Sequence, residues 1–403
     1  MKIKINRDIA IKAFEGLVKQ KNDCIATEVW LSNLLRKAGS ESSAVTNFFQ
    51  WFIIEEVEDL LFDKAFNSNW IDIQIKTNRE SISIVVSVID NFEVKFEIPA
   101  LIMTHGSIVA DAHLFASIIS KFANENIEIE KTDDYLILTD SNTFFEIPVK
   151  NNEFDIPSVE QQMDFVLLAK ELKMIDNKIS FSAYDGKCKA KGLLFDVENG
   201  YLNVVSTDGY RLSLYQTIMP GITDICFSIP VEAVRSAVNL INENIKKIVF
   251  YVGKQYVAFS VGIYSFTIKR MSVEFDYKFY LNKYSNLKSC LYIKTRKLID
   301  AMERVSLVAN MKENKHKHTI ITVDNNILKV SYMGEAGNST EEIVLETNSE
   351  NIKIGLNSRY LIEALRVIDT DEIKIEFSEP LESILIKPVG GDGFIYLIMP
   401  VRI

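Results

Sequence analysis

Three stretches of this 403-residue chain share one pattern, a short strand, an amphipathic helix and a second strand, and that recurrence limits what the chain can fold into. The first predicts a strand over Ser107–Ala110, a helix over Asp111–Phe122 and a strand over Ile127–Ile129. The second predicts Ile225–Ile229, helix Pro230–Asn242 and a strand from Ile245 to Phe250. The third predicts Ile352–Leu356, helix Asn357–Ile368 and strand Ile373–Phe377. A spacing of roughly 120 residues is too long for a solenoid unit and suits whole repeated domains. Each unit runs on into a hairpin of alternating residues: Tyr135–Leu138 into Phe144–Pro148, Tyr256–Phe259 into Tyr264–Ile268, and Ile384–Ile386 into Phe394–Met399. A further helix precedes each unit, over Asp8–Lys19, Leu167–Asp176 and Thr295–Ala309. The expected class is α+β: three repeated domains, 1–156, 157–284 and 285–403, each with two helices packed on antiparallel sheets.

Composition bears on this only by exclusion. A hydrophobic fraction of 47% with 25% charged residues is globular, and 8 Pro and 16 Gly leave little for long linkers. The cysteines Cys24, Cys188, Cys226 and Cys290 form no CxxC pair and no zinc spacing, so buried thiols in a reducing compartment are expected, and no metal. No apolar run is long enough to span a bilayer, and Met1–Asn6 reads as a strand rather than a signal segment, so a cytoplasmic protein without a membrane partner is expected. The net charge of −10 argues against a conventional nucleic-acid binder.

The densest local signal is Ser206-Thr207-Asp208-Gly209-Tyr210-Arg211-Leu212. Apolar Tyr201–Val205 runs in, alternating Leu212–Tyr215 runs out, and Asp-Gly supplies the turn, with Gly209 free to take positive φ. An ordinary hairpin would read the same way. The whole heptapeptide, however, resembles the signature of the bacterial DNA polymerase III beta subunit family, the beta sliding clamps. The closing residues Met399-Pro400-Val401-Arg402-Ile403 resemble that family's tail. The resemblance is strong from about Ser107 onward and weak over the first hundred residues.

It implies a DNA clamp fold that closes into a ring, a homodimer joined head to tail, working as a non-catalytic processivity factor with no cofactor. The implied partners are duplex DNA bound without sequence preference, the polymerase III catalytic subunit, a clamp loader and repair proteins that carry clamp-binding peptides. A ring is retained topologically, so an acidic chain needs only a basic lining. The implied peptide pocket lies between the second and third domains and comprises Ala190, Thr207, Gly209, Tyr210, Arg211, Leu212, Phe275, Tyr277, Ser383, Met399, Pro400, Val401 and Arg402. Leu212, Met399 and Val401 would receive Leu and Phe side chains, and Arg211 would orient the peptide. Three positions depart from the family: Phe275 for a usual Pro, Ala190 for a bulkier apolar residue, and Tyr210 for a common His. Drift with local repacking and a reshaped pocket both account for them.

The implied DNA-facing residues are Lys12, Lys19, Lys170, Lys173, Arg235, Arg296, Arg304, Arg359 and Arg366, on polar helix faces that any surface helix also shows. At the implied ring interface, Leu307 and Val308 of the third domain would meet Phe144 and Phe145 of the first, unless the former pair are core residues of their own helix. Residues 26–69 do not align with the family and form an insertion of roughly 30–45 residues, either a packed elaboration or a private partner surface. An enzyme would have to rest on Asp208, Arg211 and Asp276. No nucleophile elbow, P-loop or GxGxxG opening a helix accompanies them. His316 and His318 sit in a basic stretch, Lys312–His318, that reads as a solvated loop.

Overall fold

Alternating apolar strands and one-sided helices need partners on their apolar faces, and antiparallel sheets supply them throughout this computed structural model. It describes residues 2–6, 72–88, 92–122, 126–140, 142–150, 157–183, 192–273, 275–284, 289–309, 318–334, 337–346, 350–391 and 393–403, with 153, 155 and 287. The expected helix Asp8–Lys19 with Lys12 and Lys19, the insertion 26–69, Ala190, Cys24, Cys188 and His316 lie outside the described residues. Contacts divide the chain into two compact units, Met1–Leu172 with Glu232–Arg270, and Lys173–Val231 with Met271–Ile403. The expected middle segment, 157–284, therefore contributes to both.

The first unit is built on a 12-stranded antiparallel sheet with Phe144–Pro148 at one edge and Gln161–Leu168 at the other. Lys2–Asn6 lies inside it, paired with Phe92–Thr104 on one side and Asn126–Lys131 on the other. Helix Ala112–Lys121 begins where Asp111 accepts a hydrogen bond from the Leu114 amide at 2.8 Å. It buries Phe115, Ile118 and Ile119 against Ile73, Ile75, Ile108 and Ile129.

The second unit holds an 8-stranded sheet and a 5-stranded sheet. The larger runs Ile225–Ile229, Leu193–Glu198, Tyr201–Thr207, Arg211–Ile218, Phe394–Ile398, Ile384–Pro388, Glu372–Phe377, Ser289–Lys294. The smaller runs Gly337–Val344, Ile327–Gly334, His318–Asp324, Ile352–Asn357, Pro400–Val401. Helix Thr295–Ala309 lies on the smaller sheet through buried Leu298, Ala301, Met302 and Val305. Helix Ser358–Arg366, capped by Asn357, lies beside it and buries Leu361, Ile362, Ala364 and Leu365.

All three strand–helix–strand repeats are present, the helices being Ala112–Lys121, Val231–Leu240 and Ser358–Arg366. The helix expected from Leu167 starts at Ala169, because Leu167 and Leu168 pair with Ile248 and Lys247 in the sheet. His318 opens a strand, opposite Asn357, rather than ending a loop. The expectation of buried thiols is corrected at both described cysteines. Cys226 is exposed and Cys290 half-buried, because each stands on an end strand of the larger sheet. No described helix is long and apolar enough to cross a membrane.

Candidate functional site

The signature heptapeptide builds its turn from its own side chains. Asp208 Oδ1 accepts from the amides of Tyr210 (2.9 Å) and Arg211 (3.0 Å). Thr207 Oγ1 accepts from the Gly209 amide at 3.0 Å and donates to the Arg211 carbonyl at 2.5 Å. Gly209 sits at φ +86°, where a Cβ is strained. Beyond the turn, Thr207 pairs with Leu212 and Ser206 with Ser213. Tyr210 is left 62% exposed at the tip.

Arg211, expected to orient a peptide, is bonded within the protein itself. It is 7% exposed. Its Nε donates to Asp208 Oδ2 at 2.9 Å, Nη2 to the Phe181 carbonyl at 2.9 Å, and Nη1 to Glu363. The guanidinium also lies 4.4 Å from the Tyr360 ring centroid and 5.2 Å from that of Phe181. Glu363 in turn accepts from Arg359 Nε at 2.7 Å. Burial raises the Glu363 carboxyl, but hydrogen bonds from Arg359 and Arg211 outweigh it and hold the group below its ordinary value. The loop is thereby pinned to helix Ser358–Arg366.

Leu212 is also enclosed, 2% exposed, in a cluster with Leu194, Val205, Leu214, Tyr277, Tyr284, Leu385 and Leu397. Phe275-Asp276-Tyr277 leads into a short helix, Tyr277–Lys283, with Asp276 accepting from the Phe279 amide at 3.1 Å. Tyr277 points inward and donates to Asp196 Oδ2 at 2.6 Å. Burial first, then the Asp196 hydrogen bond and charge, push its phenol far above the ordinary range, so it stays a donor. Ser383 is buried as well. Asp208 and Asp276, the acids on which an enzyme would rest, are thus a turn and ion-pair residue and a helix cap.

The tail crosses between the two sheets of this unit. Phe394–Ile398 pairs with Arg211–Ile218 in the larger sheet, and Pro400–Val401 pairs with Gly355 and Leu356 in the smaller. At the crossing the Met399 amide donates to the Tyr210 carbonyl at 2.9 Å, so tail and signature turn meet. Met399 is 41% exposed, Pro400 and Val401 are half-buried and Arg402 is exposed. Gly355 makes room for the tail: a Cβ there would collide with Ile403 and stand 2.8 Å from the Val401 carbonyl. Gly355→Val is expected to lift the tail, at a cost of about 1–3 kcal/mol from overpacking. Faster release of Ile403 by carboxypeptidase, followed by mass spectrometry, checks this.

Two models of the DNA polymerase III beta subunit family match the chain, the central domain over residues 166–276 and the C-terminal domain over 285–402, together more than half its length. The chain belongs to the DNA polymerase III beta subunit family. Similar relatives include the beta sliding clamp of Pseudomonas aeruginosa, 25% identical over 258 residues (62% of this chain, 69% of that one). Another is the beta sliding clamp of Halalkalibacterium halodurans, 25% identical over 323 residues (77% and 82%). Among solved structures, the DNA polymerase III subunit beta of P. aeruginosa matches with TM-score 0.79 at 18% identity over 100% of both chains. The sliding clamp of Bacillus subtilis matches with TM-score 0.78 at 17% identity over 100% of this chain and 99% of that one. These structural likenesses carry the clamp fold, α+β on antiparallel sheets. The function is that of a sliding clamp, a non-catalytic processivity subunit.

The clamp's helix faces hold the basic residues mostly in ion pairs. Lys170, Lys173 and Arg235 are exposed. Arg296 pairs with Asp300 (2.9 Å), Arg304 with both oxygens of Glu341 (2.7 and 2.5 Å), Arg359 with Glu363, and Arg366 with Glu303 (2.7 Å). The Arg304–Glu341 and Arg366–Glu303 pairs join residues distant in sequence, so the helix periodicity gave no sign of them. At the expected ring edges, Leu307 is 74% exposed, which excludes a core role. Val308 is half-buried, and Phe144 is 59% exposed on an edge strand. Phe145 packs edge-on against Phe122, with ring centroids 5.4 Å apart.

Proposed function

We propose that this clamp closes head to tail with a second copy into a ring around duplex DNA in the cytoplasm. It would hold the polymerase III catalytic subunit, a clamp loader and repair proteins in turn through a groove beside the signature turn and the tail. The chain is expected to work as three repeated domains, 1–156, 157–284 and 285–403. The groove's accessible rim consists of Gly209, Tyr210, Met399, Pro400, Val401 and Arg402, with Phe275 beside it. Thr207, Arg211, Leu212, Tyr277 and Ser383 form its foundation. The observation that carries this reading is the Met399–Tyr210 hydrogen bond, which brings together two family segments nearly two hundred residues apart in sequence. Tethering turns polymerase rebinding into an intramolecular step and raises its effective concentration.

The test is topological. Once loaded on a covalently closed plasmid, the clamp should remain through gel filtration and leave when the plasmid is cut once. Equal loss from circles and linear DNA would overturn the ring.

DNA contact should be loose, because Arg296, Arg304, Arg359 and Arg366 each already answer to a carboxylate. Surface pairs of this kind are weak and open readily toward phosphate. Glu303→Gln with Glu341→Gln is expected to release Arg366 and Arg304 and strengthen binding. The slope of log affinity against log salt should steepen by about 0.9 for each arginine that reaches a phosphate. Fluorescence anisotropy with a labelled duplex measures it, and an unchanged slope would remove these two arginines from the DNA face.

A further inference from the structure

The polar face of helix Ser358–Arg366 and the signature turn share a carboxylate. Arg359 and Glu363 stand one helical turn apart on that face. Glu363 Oε1 accepts from Arg359 Nε at 2.7 Å, and its Oε2 accepts from Arg211 Nη1. The three side chains grade inward: Arg359 is 71% exposed, Glu363 26% and Arg211 8%. One oxygen of the carboxylate therefore meets a cation at the surface, and the other meets a cation inside the protein.

Arg211 is shared in the same way. Its Nε donates to Asp208 Oδ2, while Asp208 Oδ1 holds the amides of Tyr210 and Arg211. The Tyr210 carbonyl then accepts from the Met399 amide, where the tail crosses. Single bonds thus lead from an exposed arginine to the rim of the groove, all within the second unit. The two cations on Glu363 also repel each other, so a carboxylate divided between them holds each less firmly than it would hold one. Arg359 is the partner free to leave for a phosphate, because an exposed pair at this helical spacing is weak.

We propose that Glu363 is a positioning residue that links the DNA face to the groove. A phosphate that draws Arg359 away leaves Glu363 to Arg211, fixes the turn that carries Tyr210, and tightens the hold on a partner's peptide. This rests on the groove reading and on the DNA-facing place of Arg359. The two states differ in one contact, Arg359 on Glu363 or Arg359 on phosphate. Linkage is reciprocal, so a bound peptide raises the affinity for DNA by the same factor. A clamp on DNA then holds its partners better than a clamp in free solution.

The test titrates a labelled synthetic peptide carrying the glutamine-leucine-phenylalanine pattern against the full chain, by anisotropy. It is run with and without a saturating short linear duplex, which can thread an assembled ring. The duplex is expected to tighten peptide binding by about fivefold, within the usual range of coupling between sites. Arg359→Ala, at an exposed helix position where folding is not at risk, should bind peptide about fivefold tighter with no duplex and gain nothing when duplex is added. Arg359→Lys should keep the response to duplex, which a merely structural role would not require. Parent affinity that ignores the duplex overturns the linkage, and so does an Arg359→Ala variant that binds peptide as the parent does. An unchanged salt slope for duplex binding in Arg359→Ala would take that arginine off the DNA face and overturn the proposal with it. Deleting Met399–Ile403 tests the groove separately. Peptide binding that survives the deletion sinks the groove, whereas a normal tail effect without gain in Arg359→Ala sinks the linkage alone.

Discussion

Arg211→Met should be among the most damaging single substitutions in the second unit, lowering its stability by about 3–5 kcal/mol, the range for removing one partner from a buried ion pair. The replacement keeps the length and the apolar stem of the side chain. It removes the charge between two carboxylates, of which Asp208 is buried and Glu363 partly so. It also leaves the Phe181 carbonyl without its donor. The unfolding midpoint is expected to fall by on the order of 10 °C, read by calorimetry. Arg211→Lys should recover only part, since an ammonium cannot serve Asp208, Glu363 and the Phe181 carbonyl at once while lying flat on Tyr360. A pH dependence follows. Glu363 is held below its ordinary value when folded, so its contribution is present above the unfolded carboxyl range, near pH 4–5, and is lost as pH falls toward the folded value. The Met variant keeps only the Arg359 bond, so its stability should fall less steeply on acidification through that window. If Arg211→Met unfolds at the parent's temperature, the clamp around it carries no structural load.

What could be read from the sequence, and what could not, divides by the reach of the interactions. The signature turn was legible because Thr207, Asp208 and Gly209 make it with bonds to residues within four positions. The three strand–helix–strand repeats were legible because one-sided periodicity is local. The role of Arg211 was not, because Glu363 is 152 residues away and Phe181 is 30. Seen alone, an arginine in a ligand loop looks like a ligand residue. The enclosure of Leu212 was hidden for the same reason: it comes from segments around residues 194, 205, 277 and 385. Asp196 did leave a sign, an acid amid five apolar or edge positions that needs a partner if the strand is buried. The tail's second strand was hidden because it pairs through only two residues, with Pro400 lacking an amide proton to declare it.

Leu307→Asp is expected to convert the assembly from two chains to one. The stripe that holds helix Thr295–Ala309 to its sheet is Leu298, Ala301, Met302 and Val305. Leu307, two residues past Val305, points about 200° away from it. Its 74% exposure agrees, so an Asp there meets water in the isolated chain and should change folding stability by no more than about 0.5 kcal/mol. Beside it runs Gly337–Val344, an edge strand of the smaller sheet, with Val344 exposed at its end. On the other unit, Phe144–Pro148 is likewise an edge strand, with Phe144 exposed. Two edges that are unpaired among the described residues, and that each present a large apolar side chain, are an aggregation hazard unless something covers them. A head-to-tail ring covers both in one operation, and twice per ring, because the same joint occurs at each end. Burying a carboxylate in that joint forfeits the leucine's contact, about 1.5–3 kcal/mol, and adds the desolvation of an unpaired charge, so two joints lose their stability together. Light scattering at micromolar concentration should report one chain for Leu307→Asp and two for the parent and for Leu307→Ile. The monomer should melt at the parent's temperature for its own units and fail to stay on closed circular DNA. A variant that keeps the mass of two chains would place the joint elsewhere and leave Leu307 an exposed residue with no role in closure.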